Sequence, residues 1–282
     1  MRTENQPPGQ AARTDPRPLA AAALQAAVVR PGGLWRAIEV TGVTGSTNAD
    51  LLARAADGAP EGLVLAAEQQ SAGRGRRGRA WVAPPRKALT FSLLVRPGTV
   101  PRARHGWLPL LAGVAVASAV RAAAALDVRL KWPNDVLADG AKLGGILAEA
   151  AGDAVVVGIG LNVSTEPAEL PPPGPGALAA TSLRAAGSAC LDRELLLAEI
   201  LGTFERWYQA WRGAAGDPER SGLREAYTRL SDTIGRRVRV ELPGGQLLSG
   251  GAVGIDSDGR LVVRTSPGSE VAVAAGDVVH LR

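Results

Sequence analysis

Cysteine, histidine and lysine are all scarce in this chain, and each shortage removes a class of chemistry. The single cysteine, Cys190, permits no intrachain disulfide, as suits a reducing compartment. His105 and His280 are the two histidines, and with one cysteine they supply neither a His/Cys zinc site nor a convincing Ser-His-Asp triad. What remains to a catalyst is charge and positioning. Six tryptophans, two tyrosines and two phenylalanines serve 282 residues, and none follows Ser231, so stacking platforms for single-stranded nucleic acid are lacking. The uncharged stretch from Gly106 to Val120 is rich in Ala and Gly, is too short for a membrane span and reads as a buried helix. No basic start leads into an apolar segment. These absences predict a cytoplasmic protein with no membrane partner.

What is present begins with arginine. Gly73-Arg74-Gly75-Arg76-Arg77-Gly78-Arg79 places four guanidinium groups and three glycines in one short loop. Glycine lets a backbone come close to a ligand, and arginine offers a planar, permanently charged fork matched to carboxylate or phosphate oxygens. Such a loop suits an anion, although an Arg/Gly run also serves as a solvated tether for nucleic acid. Four like charges in so short a segment repel, so an anion is expected to order the loop. Of 32 basic residues only Lys87, Lys131 and Lys142 are lysine, which makes each informative. Lys131, inside Lys131-Trp132-Pro133-Asn134-Asp135-Val136, reads as a compact point charge with a specific task, whereas Lys142 by itself reads as a surface residue. The formal charge of +5 and pI near 10 lie largely in the Gly/Arg loop, so they argue for a local anion site more than for a DNA-binding face.

With 46% apolar residues the chain can bury one large core and a second small one. Residues 1 to about 17 hold almost nothing apolar and read as a disordered tail, followed by a short helix near Leu19 to Val29 that Pro31-Gly32-Gly33 ends. An α+β pattern follows. Strands are predicted at Trp35 to Val40, Leu63 to Glu68, Leu89 to Val95, Val128 to Lys131, Gly144 to Glu149 and Val155 to Val163. Helices are predicted from a cap at Thr47 or Asn48 through Ala56, and at His105 to Leu126, Asp192 to Trp211 and Pro218 to Leu230. The run Pro171 to Gly176 reads as a surface loop. After Ser231 short alternating strands with turns at Gly244-Gly245 and Asp258-Gly259 predict a small β-barrel. The expected organisation is a tail and helix over 1–33, a mixed sheet packed by helices over 34–231, and the barrel over 232–282.

Five segments stand in an order and spacing that resembles the biotin protein ligases of the BirA type. They are Ser46-Thr47-Asn48, Glu68 to Ala72 leading into the Gly/Arg loop, Lys131 to Val136, Lys142 to Leu147, and Gly158 to Val163. The resemblance runs from about Trp35 to the C-terminus and implies a biotin/lipoate ligase-like catalytic domain followed by an SH3-like barrel. It implies an enzyme that activates biotin with ATP and magnesium to biotinyl-5'-AMP. The biotin is then transferred to a lysine of the biotin carboxyl carrier domain of an acyl-CoA carboxylase such as acetyl-CoA carboxylase. Some relatives add an N-terminal winged helix-turn-helix, for which thirty residues are too few, so no DNA partner is expected.

The resemblance also implies roles. Ser46, Thr47, Asn48 and Gln70 would line the site for the ureido ring. Arg74, Gly75 and Arg76 would meet the biotin carboxylate and phosphate, while Arg77 and Arg79 would aid ATP. Trp81 would pack over the ordered loop. Lys131, as the catalytic residue with Arg76, would bridge the carboxylate and the α-phosphate. Asn134 and Asp135 would orient Lys131 or the metal-bound phosphates. Gly144, Gly145, Gly158 and Gly160 would let the backbone approach biotin, and Asn162 would face the ATP phosphates or magnesium. Close strand crossing would ask for the same glycines. Two other readings are a lipoate-protein ligase, with the same fold and adenylate chemistry, and a basic nucleic-acid-binding module, which the shortage of aromatics disfavours.

Overall fold

The structure is a computed structural model and describes residues 16–173, 177–266 and 268–281. The expected tail over residues 1–15, and Gly174 to Gly176 of the proline loop, lie outside the described residues. The chain begins with α1 (Ala21–Val28), β1 (Ala37–Thr44), α2 (Thr47–Ala56), β2 (Leu63–Gln70), β3 (Ala88–Val95) and α3 (Trp107–Ala124). It continues through β4 (Val128–Lys131), β5 (Asp135–Ala138), β6 (Ala141–Ala151), β7 (Ala154–Asn162), α4 (Arg193–Gly213) and α5 (Leu223–Leu230). The strands β1 to β7 form one sheet in the order β1-β2-β3-β7-β6-β5-β4, with β1 and β2 parallel and every other pair antiparallel. It is the mixed sheet predicted for an α+β chain.

Alternation along the central strands explains where the core ends and the site begins. Leu89, Phe91, Leu93 and Val95 of β3, with Val155, Val157, Ile159 and Leu161 of β7, point into the main core, which α3 and α4 cover. Residues between them face the other side, because successive side chains of a strand point oppositely. There Leu94 and Val156 pack with Leu51 and Ala55 of α2 as a small second cluster. Further along the same face the apolar residues give way to Thr90, Ser92, Gly158, Gly160 and Asn162. A polar, glycine-lined floor thus lies beside the N-terminus of α2.

That helix starts one residue before the sequence suggested. Ser46 is the N-cap, accepting a long hydrogen bond from Ala49 N, while Thr47 and Asn48 already lie in the first turn with their side chains turned to the sheet. Strand β5 is missing from the sequence reading because Asp135 to Ala138 is short and begins at a charge. Its hairpin with β4 is closed by Asn134 N donating to Lys131 O, so Lys131 pairs with Asp135. The helical run Arg102–Ala124 is long and apolar enough to cross a membrane by length and composition, contrary to the sequence reading, yet 72% of its most apolar 18-residue stretch is buried inside the fold.

The C-terminal unit contains β8 (Arg237–Glu241), β9 (Leu247–Ile255), β10 (Leu261–Arg264), β11 (Glu270–Val273) and β12 (Asp277–His280). They form an antiparallel sheet ordered β11-β10-β9-β8-β12, the barrel-like domain expected after Ser231. Its seam with the large sheet is close and polar. Trp107 Nε1 donates to Asp256 O and Ser257 O, and Trp132 Nε1 donates to Gly259 O. A Cβ on Gly106 would lie 2.3 Å from Asp258 O, so only glycine permits this approach. Trp132 is therefore a buried seam residue as well as a turn residue.

Candidate active site

A cavity of about 250 Å³ opens on the polar face of the sheet. Its floor is β6 and β7, which contribute Gly145, Leu147, Gly158 and Gly160; Ser46, Thr47 and Asn48 of α2 form one wall, and Gln70 of β2 adjoins them. The glycines are required by contact. A Cβ on Gly158 would fall 2.1 Å from Asn48 Oδ1, and one on Gly160 would fall 2.4 Å from the Trp81 ring. Gly144 does not line the cavity; its missing Cβ would meet Gly160 O at 2.6 Å, which makes it a strand-packing glycine.

Polar side chains at the floor are ordered by one another. Gln70 Oε1 accepts from Thr47 N at 2.8 Å, and Thr47 Oγ1 lies 2.7 Å from Ser92 Oγ. Ser92 Oγ donates to Asn48 Oδ1 at 2.6 Å, and Asn48 Nδ2 donates to Leu147 O and to Glu149 Oε2. Ser92 and Glu149 were missed by the sequence reading. Their only signal is an even or odd place on a strand, which means nothing until the register is known.

Over this floor the Gly/Arg segment folds back as a tight hairpin. Arg74 bridges Ala80, Gly75 N donates to Arg79 O at 2.7 Å, and Trp81 N donates to Gly73 O. Arg77 takes φ +56°, a conformation costly for a residue with a side chain. The expected mutual repulsion is met by carboxylates. Arg74 pairs with Glu149 at 2.9 Å, Arg77 with Asp277 at 3.0 Å and Glu241 at 3.4 Å, and Arg79 with Asp277 at 2.9 Å. Three of the loop's four arginines are thus paired within the chain. Arg76 is the exception. Its guanidinium donates to the neutral Asn134 Oδ1 at 3.2 Å, and no carboxylate among the described residues stands within ion-pair distance. Burial lowers its pKa from the usual arginine value, with Asp277 acting against that shift.

Two lysines exchange the places that the sequence suggested. Lys142 lines the cavity, 2.5 Å from Asp135 Oδ1 and close above Gly145. Lys131 lines neither this cavity nor the neighbouring one. It is half-buried, and burial lowers its pKa, opposed by the negative charge of Asp135. Asp135 thus orients Lys142, not Lys131 alone. Asn134 holds β6 through Nδ2 to Ile146 O, and Asn162 donates to Thr181 O at 2.9 Å, leaving its Oδ1 for a ligand. No group of three His, Cys, Asp or Glu residues placed to hold a metal occurs among the described residues. Pro171, Pro172 and Pro173, with Ala177, Leu178 and Ala180, close another side of the cavity, so the proline run is part of the site's rim.

A second cavity of about 700 Å³ adjoins the first behind the loop, between Arg76, Arg77, Trp132 and Asn134 and the turn Asp258 to Arg260. The two spaces share Arg74, Gly75, Arg76 and Asn134. An enclosed, partly apolar cleft continuous with a cation-lined space fits a compact acid joined to a polyanion.

Comparison with known proteins agrees with this geometry. Residues 41–165 match the biotin/lipoate A/B protein ligase family, and residues 233–281 match the biotin protein ligase C-terminal domain. The biotin–[acetyl-CoA-carboxylase] ligase of Mycobacterium tuberculosis is 48% identical over 94% of this chain and 97% of its own length. The bifunctional ligase/repressor BirA of Bacillus subtilis is 35% identical over 74% of this chain and 64% of its own length. Among solved structures, the biotin protein ligase of Aquifex aeolicus in complex with biotin and ATP superposes with a TM-score of 0.70 at 25% identity, over 87% of this chain and 98% of that one.

Proposed function

The chain belongs to the biotin protein ligase family, and from that premise we propose that it joins biotin to the carrier domain of an acyl-CoA carboxylase in two steps. First the biotin carboxylate oxygen attacks the α-phosphorus of ATP and pyrophosphate leaves. Then a carrier lysine amine attacks the carbonyl carbon of biotinyl-5'-AMP and AMP leaves. Neither step needs a nucleophile from the enzyme. Both need two anions held together, developing charge stabilised and water kept from the mixed anhydride. The observation that carries this reading is the placing of Lys142 in the small cleft and of Arg76 on the wall that the cleft shares with a larger, arginine-bearing space.

In this reading Ser46, Thr47, Asn48 and Gln70 receive the ureido group, and Gly145, Gly158 and Gly160 let the ring system lie on the strands. Lys142 meets the carboxylate and α-phosphate, taking the contact first expected of Lys131. Lys131 instead raises the positive potential beside Asp135 and Asp277. Arg76 and Gly75 hold the adenylate. Arg77 and Arg79 reach the polyphosphate by exchanging Asp277 and Glu241 for phosphate oxygens. Asn134 fixes Arg76, and Asn162 offers one neutral oxygen. That donor set is too sparse for a resident metal, so magnesium, which would neutralise polyphosphate charge, arrives with the nucleotide and touches Asn162 at most.

Two outcomes follow for the cleft. Gly158→Ala is expected to displace Asn48 and weaken biotin binding by about tenfold or more, roughly the 1.4 kcal/mol of one lost polar contact. Titration calorimetry checks this, and unchanged affinity would remove Asn48 from the site. The function itself is tested by native mass spectrometry after incubation with biotin, ATP and magnesium, with lipoate in parallel. A retained biotinyl-AMP mass only with biotin is expected, and a lipoyl-AMP mass would reassign the acid.

A further inference from the structure

Strand β5 pairs with β6 as far as Gly145, and Asn134 carries the contact one residue further by bonding both Ile146 N and Ile146 O. Glu149 lies further along β6, on the same face as Gly145 and Leu147 of the cleft, and lines the second cavity. Its two oxygens have different partners. Oε2 accepts from Asn48 Nδ2 at 2.9 Å, and Oε1 pairs with Arg74 Nη2 at 2.9 Å.

We propose that Glu149 is a positioning residue that fastens the Gly/Arg loop to the biotin end of the cleft, so that each helps hold the other in its ligand-binding form. The inference rests on the ligase reading above and adds a residue to it.

Donor and acceptor counting gives the bridge a direction. Asn48 spends both Nδ2 hydrogens, on Leu147 O and Glu149 Oε2, so its Oδ1 is the acceptor for Ser92 Oγ. With its one hydrogen committed, Ser92 Oγ meets Thr47 Oγ1 as acceptor, sharing that hydroxyl's single hydrogen with Gln70 Oε1 at 3.0 Å. A single chain thus runs from Thr47 through Ser92 and Asn48 to Glu149 and ends on Arg74. Ser92, Thr47 and Asn48 are 0%, 2% and 4% exposed, so these polar groups depend on one another for partners. Linked bonds of this kind restrain the rotamers on either side.

The bridge requires a carboxylate. Only an ionised carboxyl group is acceptor-only on both oxygens. A glutamine at this position presents one oxygen and one NH₂, so it faces either Asn48 or Arg74 with donor against donor. Arg74, its charge met by Glu149, then serves as a strut at the base of the hairpin, next to the Arg74–Ala80 bridge and one residue before Gly75. Its task differs from that of Arg76. A surface ion pair with side chains 52% and 22% exposed contributes little to stability, so a purely structural role predicts little effect of its loss on ligand.

The test is a double-mutant cycle on the full chain with Glu149→Gln and Arg74→Gln, read by biotin titration, by kcat at saturating biotin and by thermal unfolding. Each single change is expected to weaken biotin about tenfold, the double change no more than about tenfold, because the two act through one link. For Glu149→Gln the saturated kcat should stay within about twofold and the unfolding midpoint should not move, since the bridge holds the ground-state site and not the reacting atoms. Wild-type affinity in Glu149→Gln would overturn the proposal, as would losses that multiply to about a hundredfold in the double variant. If Glu149→Gln unfolds, Arg74→Gln, altered on the exposed loop, decides alone: unchanged biotin affinity there overturns the link. A wild-type chain that binds no biotin would instead overturn the ligase reading.

Discussion

Replacing Lys142 by alanine is expected to lower the rate of pyrophosphate exchange with biotin and ATP by about a hundredfold to a thousandfold, the range for removing one preorganised charge from a developing anion. Biotin affinity should change far less, because the floor contacts through Thr47, Asn48 and Gln70 do not involve this lysine. The argument is positional. Lys142 is the lysine whose side chain reaches the cavity, and Asp135 at 2.5 Å holds its ammonium in one place. Lys142→Arg should fail nearly as badly, since a planar fork seated on Asp135 cannot reproduce a compact ammonium. Lys131→Ala provides the contrast. Outside the cavity, and acting only through its potential, it should raise the KM for ATP several-fold while exchange persists. A silent Lys142→Ala beside a dead Lys131→Ala would restore Lys131 to the reacting centre.

The different placement of these lysines marks what could be read in the chain before its fold was known. Local signals carried far. Alternating apolar residues gave β3, β4 and β7 to within about a residue, and Gly244-Gly245 and Asp258-Gly259 do lie in the turns that separate β8, β9 and β10. The Gly/Arg loop was legible as a candidate anion site because it concentrates one chemistry in adjacent positions. What escaped depends on register and on long-range partners. Lys142 looked like a surface charge because nothing beside it in sequence tells that β6 brings it over Gly145. Glu149 was invisible for the same reason, since its partner Asn48 is 101 residues away. The repulsion expected of four clustered arginines left out Asp277 of β12, about two hundred positions further on, which pairs with Arg77 and Arg79. Composition could not show that the barrel's edge lends carboxylates to the Gly/Arg loop.

Those carboxylates single out Arg76, and Arg76→Gly is expected to release the intermediate. Three of the four loop arginines are already compensated by Glu149, Asp277 and Glu241, whereas Arg76 holds a buried positive charge against only a neutral amide oxygen. Burial disfavours the cation, and the charges of Asp277 and Asp135 offset this only in part. An anion placed there recovers that cost, so the adenylate should be held more tightly by Arg76 than by its neighbours. Without it, biotinyl-5'-AMP should still form at Lys142 but leave about a hundredfold faster, equivalent to roughly 2.7 kcal/mol of lost charge-assisted contact. Gel filtration after one turnover should find the intermediate with the wild-type chain and not with the variant. The escaping anhydride should also acylate exposed lysines on bystander proteins in the same tube. Arg77→Gly and Arg79→Gly should retain the intermediate and weaken ATP binding instead, because glycine there frees Asp277 and Glu241 to repel polyphosphate. Full retention by Arg76→Gly, or equal leakage from all three variants, would mean that the loop acts as a diffuse positive surface and that the geometry around Asn134 confers no special task on Arg76.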